Sequence, residues 1–315
     1  MSVIEVRDLT RTFVVRERRG VLRREARMVH AVADVSFDVE AGEAVGYIGP
    51  NGAGKSTTIK MLTGILVPTS GSLTVAGLDP SRSRTELARR IGVVFGQRTG
   101  LWWDLPLRES FELLRRIYRV PVPTYQRNLA AFVELLDLQE LLSQPVRQLS
   151  LGQRMRGDIV AALLHDPQIL YLDEPTIGLD LLSKQRLRGF LRDLNDERGT
   201  TILLTTHDLV DIEQVCRRVM VIDRGRLAFD GDFAALHAAG EATRMVVVDF
   251  AEPMDAVSVP GATVTRVDGV RQWLTVPAGA ATGPVVAALA SAHEVADLSI
   301  REPSIEDVLP HLYAR

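Results

Sequence analysis

One glycine-rich motif near the start of the chain constrains its fold more than any other feature. Residues 49–57 read GPNGAGKST and match the pattern G-x-x-x-x-G-K-[ST] in full. The apolar run at 44–48 before the motif is typical of a buried strand, and residues 57–62 after it have helical character. Because a phosphate-binding loop needs this strand–loop–helix context, the sequence predicts an anion site rather than a glycine-rich turn that binds nothing.

The residue types of the motif explain how such a loop would hold a nucleotide. Glycines let the backbone curl so that several N–H groups point at one anion, and the dipole of the following helix adds positive potential. Lys55 is expected to reach the β- and γ-phosphates, and the Ser56 hydroxyl to hold Mg²⁺. The predicted nucleotide-binding residues of this loop are Gly49, Pro50, Asn51, Gly52, Ala53, Gly54, Lys55, Ser56 and Thr57.

Composition restricts the class of protein that carries the motif. The chain has 315 residues, of which 46% are apolar and 24% charged, with a net charge of −3. The acidic balance argues against a general nucleic-acid surface, and a single cysteine, Cys216, excludes a disulfide within the chain. We see no secretory leader and no apolar stretch near the ~20 residues that span a bilayer. We therefore expect no nucleic-acid partner and a membrane role only through another subunit.

Periodicity indicates an α/β core with an antiparallel β part and a helical part. Strands are predicted at 2–7, 35–39, 44–48, 73–75, 91–95, 169–172, 201–205 and 219–222. Helices are predicted at 108–118, 125–136, 152–165 and 182–197. The helix at 182–197 lies between two strands, which is the pattern of a parallel crossover. We expect this core to cover residues 1–240, with the helical part at about 98–168.

A second, smaller domain is predicted for residues 241–315, where Val, Ala and Gly become more frequent. Its predicted elements are strands at 243–250, 262–267, 272–276 and 296–301 and a helix at 283–293. The capping box that begins at Ser304 predicts a last short helix. These elements are typical of an α+β accessory domain.

The charge of the chain is uneven near its N-terminus. Residues 11–30 hold seven arginines and two glutamates, and seven minus two gives a local charge of +5. The segment at 16–27 either contacts anionic lipid or a membrane partner, or is a solvated loop with Glu17 and Glu25 as local partners.

Two carboxylates follow the apolar strand at 169–172. Ligands of open α/β sheets bind at the carboxyl ends of the strands, so Asp173 is a candidate for the Mg²⁺ shell. Glu174, one residue further, is a candidate general base that polarises an attacking water. The alternative for this pair is an acidic turn after a core strand.

Three further positions are weaker candidates when each is taken alone. Ser150 and Gly152 begin a predicted helix and form either an anion site or an ordinary N-cap. Gln97 follows the strand at 91–95 and could contact Mg²⁺ and water. His207 follows the strand at 201–205 and could contact a γ-phosphate, although a single histidine of this kind is more often structural.

Taken together and in this order, the motifs resemble the nucleotide-binding subunit of an ATP-binding-cassette (ABC) transporter over residues 1–240. The resemblance implies a P-loop ATPase fold with ATP and Mg²⁺ as its ligands. It also assigns the matching positions, namely the adenine-stacking aromatic Phe13, the Q-loop Gln97, the signature residues Ser150, Gly152 and Gln153, the D-loop Asp180 and the switch His207. Leu151 stands where this signature usually has glycine, so it either weakens nucleotide binding there or packs sideways.

The resemblance further implies partners. Two copies of such a subunit close head to tail around two nucleotides, so we expect a second ATP-binding subunit, most simply a homodimer. The segment 97–106, with Trp102 and Trp103, and the closing segment 301–308 resemble a branch of bacterial exporter ATPases that serve polytopic ABC-2 permeases. The alternative for the two indoles is packing within the helical part.

We accordingly expect an ATP-hydrolysing subunit at the cytoplasmic face of the cell membrane that powers export through a separate permease. The alternative function is that of a soluble ABC ATPase acting on the ribosome or on DNA. Such proteins usually carry two tandem cassettes or a long coiled-coil insertion, whereas this chain has one cassette and neither feature.

Overall fold

The computed structural model of the chain describes residues 1–19, 23–96, 99–206, 208–239, 244–277 and 280–301. Of residues 16–19, 23–25 and 237–239 it describes the backbone only. The chain divides into two units, Met1–Asp230 and Gly231–Arg315.

The first unit contains nearly all of the predicted core elements. Its strands are β1 (Ser2–Arg19), β2 (Arg23–Glu40), β3 (Ala44–Ile48), β4 (Ser70–Val75), β5 (Ile91–Phe95), β6 (Ile169–Asp173), β7 (Thr201–Thr205), β8 (Arg218–Asp223) and β9 (Arg226–Asp232), whose last two residues fall in the second unit. Its helices are α1 (Lys55–Leu62), α2 (Arg84–Ala88), α3 (Leu107–Tyr118), α4 (Val122–Leu135), α5 (Leu151–Leu163), α6 (Leu181–Arg198) and α7 (Leu209–Val215).

A six-stranded sheet in the order β5-β6-β7-β3-β8-β9 forms the centre of this unit. The five strands from β5 to β8 in this order pair in parallel. All residues of β3 and β7 are buried, which explains their near-continuous apolar sequences. The carboxyl ends of β6, β7 and β3 therefore lie side by side, and the glycine-rich loop follows the last of them. This arrangement confirms the α/β P-loop fold and the predicted parallel crossover.

The helices differ from their predicted limits in ways that local chemistry explains. Helix α4 begins at Val122, three residues before the predicted start, with Pro123 in its first turn. Proline is tolerated there because the first N–H groups of a helix have no partner within it. Helices α2 and α7, of five and seven residues, were not predicted because so short a segment carries little periodicity.

A three-stranded antiparallel sheet in the order β2-β1-β4 forms a separate part of the first unit. Strand β4 pairs with β1 from Ile4↔Val75 to Thr10↔Ser70, whereas the β1–β2 ladder continues to Arg19↔Arg23. The predicted edge strands at 2–7 and 35–39 were therefore too short. The backbone on both sides of residues 20–22 is part of the ladder, and this corrects the interpretation of 16–27 as a loop.

The second unit contains α8 (Phe233–Ala239), β10 (Arg244–Phe250), β11 (Thr263–Asp268), β12 (Arg271–Val276), α9 (Thr282–Ala292) and β13 (Val295–Arg301). Its antiparallel sheet has the order β11-β12-β10-β13, and Val285 and Leu289 of α9 belong to its apolar core. The buried Gln272 amide accepts a hydrogen bond from Val257 N and donates to Asp255 O. The predicted helix at Ser304 lies outside the described residues.

Across the described ranges, each helix is too short or too polar to cross a membrane.

A buried carboxylate joins α5 to the segment that follows β5. Asp158 Oδ1 accepts hydrogen bonds from Thr99 Oγ1 and Gly100 N, both at 2.9 Å. Burial raises the pKa of the Asp158 carboxyl to about 6, and these hydrogen bonds limit the rise by favouring the charged form. The carboxyl is therefore ionised at neutral pH although its side chain is almost fully buried.

This pKa predicts a pH dependence of stability. An unfolded aspartate has a pKa of about 3.9, so between about pH 4 and pH 6 the folded state binds more protons than the unfolded state. The contribution of this carboxyl to the free energy of unfolding is therefore greatest below that range, and it is lost as the pH rises through about 6. Asp158→Asn cannot titrate, so it should gain about 2–3 kcal/mol relative to wild type between pH 4 and pH 7. Urea unfolding of both proteins across this range measures the gain, and parallel stability curves would contradict it.

Candidate active site

The loop between β3 and α1 needs glycine at two positions where its backbone lies close to neighbouring strands. Gly54 has φ = 115°, and a Cβ there would lie 2.4 Å from Ala31 O. A Cβ at Gly49 would lie 2.1 Å from Ile222 O. Because no side chain fits at either position, the loop wraps closely against β2 and β8. Its N–H groups and the N-terminus of α1 then form a cradle suited to phosphate.

Lys55 is the cation of this cradle. Its side chain is buried, and Nζ donates to Gly49 O at 2.5 Å and to Pro50 O at 3.1 Å. Burial lowers the pKa of Lys55, while the negative charges of Glu174 and Asp173 oppose that effect. The ammonium group is thus held inside the loop, close to the acidic end of β6.

Asp173 is held by hydroxyl groups from two other elements. Ser56 Oγ at the start of α1 donates to Asp173 Oδ2 at 3.0 Å, and Thr205 Oγ1 at the end of β7 donates to Oδ1 at 2.6 Å. A carboxylate beside a hydroxyl is a hard-oxygen donor set, which fits Mg²⁺. In the part of the chain that the structure describes, no group of three or more His, Cys, Asp or Glu side chains could hold a metal. Magnesium at this position would therefore take its other ligands from nucleotide and water.

Glu174 has an unusual backbone conformation. Its φ is 57°, in the left-handed region that residues with a Cβ adopt at a cost of about 1–3 kcal/mol. Its N–H donates to Thr205 O at 2.8 Å, which fixes the turn at the end of β6. A Cβ at Gly96 would lie 2.6 Å from Glu174 O, so the chain after β5 also approaches this turn closely. Seven other described residues with a Cβ share this left-handed conformation, so at Glu174 it defines the turn after β6.

These residues surround one open groove of about 660 Å³. The glycine-rich motif contributes Asn51, Gly52, Gly54, Lys55, Ser56 and Thr57 to its wall, and the end of β6 and the residue after it contribute Asp173 and Glu174. Ala31 on β2 also lines the groove, but Phe13 does not. Phe13 lies on β1 opposite Val29, with the Arg11 guanidinium 4.7 Å from the centre of its ring. The structure thus brings the loop and both carboxylates together and leaves the predicted adenine-stacking residue outside the groove wall.

The signature residues lie at a different surface. Ser150 is the N-cap of α5, where its Oγ accepts from Gln153 N at 3.2 Å and Gln153 Oε1 accepts from Ser150 N at 2.8 Å. This capping box agrees with the N-cap interpretation of the serine. Neither Ser150, Gly152 nor Gln153 lines the groove around Lys55. Asp180 caps α6 by accepting from Ser183 N, and the hydrogen bond from the Ser183 hydroxyl lowers the pKa of Asp180.

Leu151 contacts Gly178 with part of its side chain, which is 40% exposed. A Cβ at Gly178 would lie 2.5 Å from Leu151 Cδ2, so the leucine covers the space that the glycine leaves open. A Cβ at Gly152 would lie 3.0 Å from Leu179 Cδ2. The N-terminal turn of α5 is therefore packed against the loop before α6.

Two of the predicted site residues, Gln97 and His207, lie outside the described residues. Sequence reasoning missed Thr205 and Gly96, which fix Asp173 and Glu174. Their signal was weak, because a threonine at the end of a strand and a glycine after one are both common. Their importance depends on which strands are neighbours in the sheet.

A buried ionic network supports the turns that follow β6 and β7. Arg188 of α6 pairs with Asp211 of α7, and their side chains are only 7% and 1% exposed. Asp211 Oδ2 also accepts from Thr176 Oγ1 at 2.6 Å, and Lys184 Nζ donates to Asp208 Oδ2 at 2.7 Å. These contacts anchor the chain beyond Glu174 to the helices behind it.

Comparison with known proteins agrees with this geometry. Residues 32–177 match the ABC transporter family. The chain is 33% identical over 288 residues to the daunorubicin resistance ATP-binding protein DrrA3 of Streptomyces coeruleorubidus, covering 90% of each protein. It is 36% identical over 238 residues to the Nod factor export ATP-binding protein I of Rhizobium sp. (strain N33), covering 75% of this chain and 77% of that protein.

The chain also has the fold of a solved ATP-binding cassette. The dimeric post-hydrolysis state of the ATP-binding cassette MJ0796 bound to ADP and Pi superposes with a TM-score of 0.65 at 26% sequence identity. The match covers 73% of this chain and 98% of that cassette.

Loss of the buried ionic network should destabilise the protein. Asp211→Ala leaves the buried Arg188 guanidinium with only the more distant Asp208 carboxylate, 3.6 Å away, so we expect a loss of about 3–5 kcal/mol in the free energy of unfolding. As a matched control, Arg217→Ala removes an exposed pair with Asp196 and should cost at most about 1 kcal/mol. Urea denaturation measures both, and equal losses would contradict the assignment of the network.

Proposed function

The chain belongs to the family of ABC transporter ATP-binding proteins, and from this membership we propose that two copies clamp ATP between them to power export through a separate permease. As a member of this family it binds ATP and is an ATPase. The dimer, the permease, the direction of transport and the roles of individual residues belong to the proposal.

The observation that carries the proposal is the separation of Ser150 from the groove. A nucleotide held by Lys55 and the loop would leave one side of its phosphates uncovered, because the signature residues of the same chain line no part of that groove. The N-terminus of α5 offers helix N–H groups and a positive dipole, which suit a phosphate. A second copy placed head to tail would present this terminus to the groove, and the dimeric state of the MJ0796 cassette supports such pairing.

Each residue at the end of β6 and in the loop has a distinct role in the proposed reaction. The loop N–H groups and Lys55 bind the β- and γ-phosphates and stabilise the negative charge that develops during transfer. Glu174 accepts a proton from the attacking water as general base. Ser56 and Asp173 would hold Mg²⁺, which when bound neutralises phosphate charge. Gln97 and His207 are assigned to the water and the γ-phosphate from the sequence.

The proposal explains how hydrolysis opens the dimer. Both copies contact the γ-phosphate, so ATP binds more tightly to the closed pair than to separate chains and shifts the equilibrium towards closure. Cleavage removes the group that both surfaces share. Without it, the differential affinity for the closed state falls and the subunits separate.

The permease surface is proposed at the aromatic segment after β5. Trp102 and Trp103 are 37% and 50% exposed, although Arg154 lies 5.0 Å from the Trp103 ring centre. Exposed aromatic side chains are effective anchors for a protein partner. From its family membership, we place the protein at the cytoplasmic membrane face through its permease. The names of the relatives, daunorubicin resistance and Nod factor export, support export as the direction.

Replacing the proposed general base with a neutral amide should trap the closed, ATP-bound dimer. Glu174→Gln should retain ATP binding, lower the turnover rate by about 10²-fold or more, and accumulate a dimer with ATP and magnesium. Lys55→Ala is the matched control, because it should lose both ATP affinity and dimer formation. Turnover and light scattering after size exclusion provide the two measurements.

Two results would count against these assignments. Wild-type turnover in the Glu174→Gln variant excludes Glu174 as the base. A Glu174→Gln protein that stays monomeric with saturating ATP and magnesium excludes the clamp itself.

Removing both indoles should weaken permease binding and leave nucleotide binding unchanged. We expect Trp102→Ala with Trp103→Ala to lower recovery with a co-purified polytopic membrane protein about tenfold, a loss of about 1.4 kcal/mol, without changing ATP affinity. Trp273→Phe, on β12, is the control and should have no effect on recovery. Undiminished recovery of the double variant would instead assign the indoles to internal packing.

A further inference from the structure

We propose that Asp158 is a positioning residue that fixes the segment containing Trp102 and Trp103 to the signature helix α5, so that movement of the signature carries the indoles with it. The inference rests on the proposed function, in which the N-terminus of α5 contacts nucleotide and the indoles contact the permease. It adds a specific residue that connects the two surfaces.

Three residues on one face of α5 contact this segment. Arg154, Gly157 and Asp158 are spaced i, i+3 and i+4, so they lie on the same side of the helix. The Arg154 guanidinium lies 5.0 Å from the Trp103 ring centre. A Cβ at Gly157 would lie 3.1 Å from Leu101 Cδ1, so the missing side chain makes room for that leucine.

Asp158 supplies the polar part of this contact. Its Oδ1 accepts from both Thr99 Oγ1 and Gly100 N at 2.9 Å. Thr99 Oγ1 in turn accepts from Leu101 N at 3.1 Å, which closes a tight turn just before the indoles. The carboxylate thus holds two consecutive residues directly and Leu101 through Thr99, and the Leu101 side chain is itself buried.

The same helix carries the signature at its other end. Ser150 caps α5 eight residues before Asp158, a distance of about 12 Å along the helix axis. Leu151 at this end covers Gly178 in the loop before α6. Because a helix of this length moves as a rigid element, a shift at its N-terminus also moves the residues of α5 that contact the aromatic segment.

Asp158 has no role in the proposed chemistry, since it does not line the groove that contains Lys55. A buried carboxylate costs desolvation energy, and burial raises its pKa to about 6. The hydrogen bonds that it accepts from the segment offset part of this cost.

The test uses the full chain with Trp273→Phe, so that Trp102 and Trp103 are its only indoles. Glu174→Gln is added to slow hydrolysis, and acrylamide quenching of indole fluorescence is measured with and without ATP and magnesium. We expect the quenching constant to change on nucleotide addition. Asp158→Ala should raise the quenching constant about twofold and abolish its response to nucleotide, while ATP-dependent dimer formation persists. Asp158→Asn retains an acceptor oxygen and should keep the response.

A second variant guards against misfolding of Asp158→Ala. Thr99→Val removes one donor while keeping the shape of the side chain, and it should weaken the response without loss of the dimer. A normal nucleotide response in Asp158→Ala, or in Thr99→Val when the alanine variant does not fold, overturns the inference. An unmutated Asp158 protein that dimerises with nucleotide but shows no change in quenching overturns it as well. Failure of that protein to dimerise at all would instead reject the proposed function on which the inference rests.

Discussion

The site depends on how the Asp173 carboxylate is shared. It accepts from Ser56 at the start of α1 and from Thr205 at the end of β7, while the Asp173 main-chain carbonyl accepts from Gly96 N at 2.7 Å. One residue therefore joins the phosphate loop to three neighbouring strand ends. A carboxylate suits this position because its two oxygens accept from several donors at once. The place of the loop, of Glu174 and of any bound cation all follow from this convergence.

Much of the fold could be predicted from the sequence because buried parallel strands are contiguous apolar runs. The limits of β3, β5 and β7 were predicted in full, and those of β6 to within one residue. The β1–β2 hairpin could not be predicted at its full length, since its outer part lacks the alternation that marks a half-buried strand. Helix α4 also began early, because a proline in a first turn resembles a helix breaker when only the sequence is read.

Some residues of the candidate site could likewise be predicted from the sequence and others could not. Residues contiguous in the loop, and the acidic pair after β6, could be found because their spacing along the chain is itself the signal. Thr205 and Gly96 could not, since their contacts arise from strand order and register. The effect of Leu151 also required coordinates, because a leucine in the signature is compatible with either disruption or sideways packing. Its contact with Gly178 shows where part of the leucine side chain packs, and its effect on nucleotide binding stays a prediction.

The long hairpin has a consequence for solubility. In the described ladders, β1 pairs with β4 only as far as Thr10. Beyond that residue β1 and β2 pair only with each other and form a two-stranded ribbon. Such a ribbon exposes unpaired backbone groups along its edges, which invite strands of other molecules to add. Seven arginines against two glutamates within residues 11–30 bring like charges together whenever two such ribbons meet. Repulsion between these like charges opposes the addition of a second such strand along this edge.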